Sequence, residues 1–221
     1  MTQPNSSLVS IIGSEFISPY PLEFNVETDW KGNLVITDNN NKTIFTVRSC
    51  DKSFNRQRLL MDANWKPIVT IEEKDWTLHK RWNVYRGEST LKSDMIFTTK
   101  EKHKIQIFKT RVNVYLAHNS EFAYDFKPKG EYGKKRSAIY KGHSATPLAQ
   151  MMHTAQRSQK GKFNFKLTIN PNVDYAFVVA LITIIDAIAS PYKNPNVEGA
   201  KLTYGVSQGL LELVTKLARP S

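Results

Sequence analysis

Eleven uncharged and almost wholly apolar residues, Tyr175 to Ile185, separate Asp174 from Asp186. Wound as a helix, they would be apolar on every face, and such a helix must be buried in protein or in lipid. A bilayer span needs about 20 apolar residues, and lengthening this run would carry Asp186 into hydrocarbon. Protein is therefore the expected environment. The β-branched content speaks for a strand, but the run exceeds ordinary strand length. The sequence thus predicts a helix over 173–189, with Asn172 as N-cap and Asp174 in the first turn, where the helix dipole favours a carboxylate.

The rest of the chain must supply what encloses that helix. Before Asn170 the dominant pattern is alternation of apolar and polar residues, broken every eight to twelve residues by Asn, Asp, Gly, Pro or Ser, which is the period of half-buried strands. Candidate strands are Leu34 to Thr37, Thr43 to Val47, Leu59 to Met61, Ile68 to Ile71, Trp82 to Arg86 and Met95 to Thr99. They continue as Lys104 to Lys109, Val112 to Ala117, Phe122 to Lys127, Ser137 to Lys141, Leu148 to Met152 and Phe163 to Ile169. Asp38 and Asp62, 24 residues apart, open what read as equivalent turns in a weak repeat. A closed barrel of about twelve strands has an interior too wide for its own side chains, so it needs a plug. The helix suits that role: about sixteen residues span ~24 Å and six-residue strands ~20 Å.

The expected fold is therefore mainly β, a closed twelve-stranded antiparallel barrel around a central hydrophobic helix. Residues 1–18 read as an irregular lead-in, 19–190 as the barrel with its helix, and 191–221 as an extension. In the extension Val206, Leu210, Leu211, Val214 and Leu217 share one face of a short amphipathic helix.

Charge is distributed unevenly. The chain of 221 residues carries a net +11, from 31 Lys and Arg against 20 Asp and Glu. The window from Lys100 to Lys166 holds fifteen of those bases and four of the acids, so the remaining sixteen of each cancel elsewhere. Lys100, Lys102, Lys104, Lys127, Lys129, Lys134, Lys135, Arg136 and Lys141 are the candidate contacts for an anion. Tyr115, Phe122, Tyr124, Tyr132 and Tyr140 fall in the same window. The same cations suit anionic lipid head groups, a nucleic-acid backbone, or solvation alone.

Leu34 to Asp38, Leu59 to Asp62, Pro67 to Lys74, His79 with Trp82 to Gly87 and Ser89, and above all Pro171 to Phe177 with Asp186 resemble the LURP-one-related family of plants. That resemblance implies a Tubby-like fold related in architecture to phospholipid scramblases, and no established enzymatic activity. It also implies membrane tethering, phosphoinositide binding or transcriptional roles for the superfamily, and plant defence for some relatives. It transfers no catalytic or lipid-binding residue to a position here. The family's hairpin turns tend to use Gly where this chain has Asn39 to Asn41 and Asn64 with Trp65, and its chains usually end soon after the helix.

Other chemistry is only approached. Gly142 to Thr146 lacks the last glycine of a nucleophile elbow and reads as strand to strand. Gly130 to Gly133 copies a backbone-clamping Gly-x-x-Gly, yet suits a hairpin. One cysteine, Cys50, allows no thiolate pair, the histidines make no two-ligand turn, and no glycine-rich phosphate loop precedes a helix. The expectation is a non-enzymatic module with no metal and no cofactor. It would bind an anionic lipid head group or membrane surface, with nucleic acid or a protein as the other partners considered. The opening residues do not read as a secretory signal, so an intracellular place is expected, cytoplasmic and peripheral at the plasma membrane or nuclear.

Overall fold

The computed structural model describes residues 8–28, 33–50, 56–74, 81–101, 112–119, 123–130, 136–153 and 163–189. Strands follow in chain order as β1 (Leu22–Thr28), β2 (Leu34–Thr37), β3 (Thr43–Cys50), β4 (Gln57–Asp62), β5 (Pro67–Lys74) and β6 (Arg81–Arg86). The second half contains β7 (Met95–Glu101), β8 (Val112–Leu116), β9 (Phe126–Gly130), β10 (Arg136–Lys141), β11 (Pro147–His153) and β12 (Phe163–Ile169), then helix α1 (Tyr175–Ala189). Each strand pairs antiparallel with its sequence neighbours, and β1 pairs with both β2 and β12, closing the barrel.

The alternation that predicts strands also sorts side chains between core and surface. Phe24, Val26, Ile36, Phe45, Val47, Leu60, Val69, Ile71, Val84, Phe97, Val114, Ile139, Met151 and Leu167 are buried, while their neighbours in sequence face outward. The enclosed helix is buried from Ala176 to Ala187, with no residue there more than 5% exposed. Its fifteen residues span ~22 Å at 1.5 Å each. Opposite walls meet it: Tyr175 stacks near Phe24 and Phe45, and Phe177 against Phe97 and Phe126.

Both helix ends are fixed by polar contacts. Asp174, not Asn172, is the N-cap: its Oδ1 accepts the Phe177 N–H at 2.9 Å, while Asn172 occupies a left-handed turn at φ 64°. Asp174 Oδ2 accepts the N–H groups of Ile11, Ile12 and Gly13 at 3.0, 2.6 and 3.2 Å. The lead-in is therefore structured from residue 8 to 18. Val9 bridges to Val173 and Ile17 to Asp174, tying it to the start of the helix. Burial pushes the Asp174 carboxyl above its ordinary range, against the pull of those four backbone donors. Near the other end, Arg58 points inward from β4. Its guanidinium donates to the Thr183 carbonyl at 3.1 Å and to Asp186 Oδ2 at 3.3 Å, a pair buried on both sides.

The expected equivalence of the Asp38 and Asp62 turns is realised bond for bond. Asp38 Oδ1 accepts from the backbone of Asn40 and Lys42, and Asp62 Oδ1 from that of Asn64 and Lys66. Asn41 and Trp65 take the same left-handed position, at φ 60° and 65°. The 24-residue spacing runs one hairpin further, because register irregularities fall after Ile36, Leu60 and Val84.

Two strand expectations differ from the structure, and a third is untested. Strand β1 is absent from the sequence reading, which stops at the prolines of the lead-in. Lys104 to Lys109 lies outside the described residues, as does the 191–221 extension. Strand β9 starts at Phe126 rather than Phe122, because Asp125 turns back to accept from the Leu116 N–H and the Asn119 side chain. The approach to a nucleophile elbow is a tight strand-to-strand turn, in which Ser144 Oγ is engaged with the Thr146 backbone. Among the described residues, no helix is long and apolar enough to cross a membrane, and no three His, Cys, Asp or Glu side chains gather as metal ligands.

Candidate anion-binding surface

Strand pairing converts separate stretches of sequence into one row across the outer wall. Lys74 lies opposite Arg81, Arg81 opposite Lys100, and Lys100 opposite Asn113. Beyond β8, whose Val114 lies opposite Phe126 of β9, Lys127 follows Phe126 in sequence, and Tyr140 lies opposite Lys127. Each faces outward because its sequence neighbours Glu73, Trp82, Thr99, Val112, Val114 and Phe126 are buried against the interior. Four cations thus occupy β5, β6, β7 and β9, with neighbouring strands ~4.8 Å apart and the row about 19 Å long.

Like charges directly opposite one another on adjacent strands cost roughly 0.2–1 kcal/mol each. The row contains two such neighbours in succession, Lys74 with Arg81 and Arg81 with Lys100. Glu72 offsets the first by pairing with Lys74 at 2.5 Å. Partial burial pulls the Lys74 ammonium down, yet the hydrogen bond to Glu72 and the charges of Tyr85 and Glu72 hold it above its ordinary value of 10.5.

Tyrosines are interleaved with the cations. Lys100 Nζ sits 5.0 Å from the centre of the Tyr115 ring, Lys127 Nζ 4.7 Å from that of Tyr124, and Lys129 Nζ 4.3 Å from that of Tyr140. Such cation–π contacts hold a long flexible side chain in one place.

The sequence-derived candidates divide accordingly. Lys100 and Lys127 enter the row, and Lys129 lies two residues beyond Lys127 on the same face. Lys141, the last residue of β10, is exposed, lies opposite Phe126 and is off the row. Arg136 is a β10 position opposite Met152. Lys102, Lys104, Lys134 and Lys135 lie outside the described residues, in segments that join β7 to β8 and β9 to β10. Lys74 and Arg81 were missed. They sit where acids and bases balance along the chain, and only the cross-strand register brings them to Lys100.

The family model described as LURP-one-related matches residues 25–186, the span from β1 into the last turns of α1. The chain belongs to the LURP-one-related family. Among curated relatives from Arabidopsis thaliana, Protein LURP-one-related 10 is 42% identical, over 81% of this chain and 96% of the relative. Protein LURP-one-related 15 is 37% identical, over 80% of this chain and 85% of its own length. A solved X-ray structure of an Arabidopsis thaliana protein superposes with a TM-score of 0.65 at 33% identity, covering 81% of this chain and 98% of that one. The Tubby-like barrel expected from the LURP-one-related resemblance is the fold observed.

Proposed function

We propose that this LURP-one-related chain is a non-enzymatic binding module whose outer-wall cations take anionic lipid head groups, phosphoinositides foremost, at a cytoplasmic membrane surface. The observation that carries this reading is the row of Lys74, Arg81 and Lys100 across three adjacent strands, with Lys127 beyond β8 on the same outer wall. A cation near an anionic membrane contributes about 1 kcal/mol, so four acting together give reversible binding that salt weakens. A place in plant defence signalling rests on the family resemblance alone.

Single-stranded nucleic acid, the other partner for a basic face, calls for open aromatic stacking platforms. Here Tyr115, Tyr124 and Tyr140 already carry lysine ammonium groups over their rings. Flotation with phosphatidylcholine vesicles, with and without phosphatidylinositol bisphosphate, beside a nucleic-acid shift assay at about 150 mM salt, tests the reading. Binding that requires the phosphoinositide supports it. Equal recovery on both vesicles, or a shift of nucleic acid without flotation, overturns it.

A further inference from the structure

At the end of the row nearest the β10–β11 turn, three side chains form a hydrogen-bonded chain. Lys127 Nζ donates to the Tyr124 hydroxyl at 2.6 Å, and that hydroxyl lies 3.3 Å from His143 Nδ1. The Tyr124 and His143 rings are 5.4 Å apart. Tyr124 precedes β9 and His143 lies in the turn between β10 and β11. The backbone locks the two segments together, since the Gly142 N–H donates to the Asp125 carbonyl.

We infer that Lys127, Tyr124 and His143 form a phosphate-binding subsite that strengthens when His143 takes up a proton. The reasoning is one of donor counting. With a neutral imidazole whose Nδ1 accepts, the Tyr124 hydrogen is spent on His143. A protonated ring has donors at both nitrogens and accepts nothing, so the hydroxyl must accept from Lys127 and His143 together and turn its own hydrogen outward. Protonation therefore adds a positive charge and frees an O–H beside an ammonium that still has N–H groups to give. Those are the donors a phosphate monoester takes.

The like charge of Lys127 disfavours a proton on His143 until a bound anion neutralises it, so proton uptake and phosphate binding are coupled. Tyr124 and Lys127 approach from across the hairpin, and Lys141 lies two residues before it in its own turn. The nearby Asp125 carboxylate is turned away, accepting the Leu116 N–H at 2.8 Å and Asn119 Nδ2 at 2.6 Å. Histidine is the side chain whose ordinary charge change falls between about pH 5 and 8, which sets the pH values of the test.

The inference rests on the anionic head-group reading, and one experiment separates them. Affinity for soluble inositol hexakisphosphate is measured by calorimetry at about pH 5 and about pH 8, the two ends of the histidine range, in the wild type, in His143→Gln, and in the row variant Lys74→Gln/Lys100→Gln. The same three proteins are floated on phosphatidylcholine vesicles carrying phosphatidylinositol bisphosphate. The ligand's own titration is common to all three, so the readout is the ratio of affinities at the two pH values. That ratio should be about five-fold larger in the wild type than in His143→Gln, the worth of one extra cation. The row variant should bind more weakly at both pH values and keep the wild-type ratio. Equal ratios in wild type and His143→Gln overturn the subsite while leaving the head-group reading standing. A histidine-dependent ratio for the soluble ligand with no flotation keeps the subsite and rejects the membrane as its source of phosphate. No binding in either arm removes both.

Discussion

Replacing Asp174 by Asn changes almost no volume and keeps a good N-cap, yet it should release the lead-in from the barrel. The Oδ1 bond to Phe177 survives, since Asn caps helices as well as Asp. Oδ2, which accepts from Ile11, Ile12 and Gly13, becomes an NH2 group facing three N–H donors, because the amide can offer an oxygen to only one side. Hydrogen bonds to a charged acceptor contribute ~1.5–3 kcal/mol each. Three sharing one oxygen do not add, so a loss of about 3 kcal/mol is expected. For a domain of this size that corresponds to a fall in melting temperature of about 6–12 °C. Amide hydrogen exchange gives the sharper assay. Protection at Ile12 should collapse, while protection at Val178, whose N–H donates to the Asp174 carbonyl, should persist in the folded barrel. An Asp174→Asn protein that melts with the wild type and keeps Ile12 protected would refute the reasoning.

Further outcomes follow from the same physics. Arg58→Leu leaves the buried Asp186 without its guanidinium and should cost ~3–5 kcal/mol, whereas Arg58→Leu with Asp186→Leu should recover most of it; urea melts that show no recovery would contradict this. Trp65→Asn should raise stability by about 0.5–1 kcal/mol in thermal melts, because Asn tolerates the left-handed backbone that Trp65 holds at 65°. The substitution also removes the weak stacking of Arg48 over the half-exposed indole ring at 4.2 Å. The Lys74 ammonium, raised above 10.5 in the folded state, contributes stability that is complete below that value and is lost as pH rises through the folded one. The stability gap between wild type and Glu72→Gln should therefore narrow as pH rises through the alkaline range.

The central helix and the alternation around it were legible because both depend on local period and on what water excludes. Twelve strands are expected and twelve are found among the described residues, but by compensation. The expectation omits β1, which follows two prolines, and includes Lys104 to Lys109, which lies outside the described residues. The N-cap was misplaced by two residues because Asn172 and Asp174 are both good capping types, and only the three-dimensional path of the lead-in decides between them. Arg58 reads as an ordinary strand charge until the barrel closes and Asp186 appears opposite it. The candidate surface was legible in Lys100, Lys127 and Lys129 as members of a charge-rich window. Lys74 and Arg81 were not, because register between strands leaves no mark on local composition. His143 and Tyr124 are nineteen residues apart and meet only through the β9–β10 hairpin.

Location of charge, as distinct from its amount, is the claim on which the functional account turns. Two triple variants with the same change in net charge should be compared in flotation on phosphoinositide vesicles: Lys74→Gln/Lys100→Gln/Lys127→Gln on the row, and Lys42→Gln/Lys66→Gln/Lys92→Gln at exposed turns elsewhere. At about 1 kcal/mol per cation, the row variant should lose on the order of a hundred-fold in partitioning and much of its salt dependence, while the turn variant stays within a few-fold of wild type. Equal losses in the two proteins would mean that only net charge matters and that the row is not the binding surface.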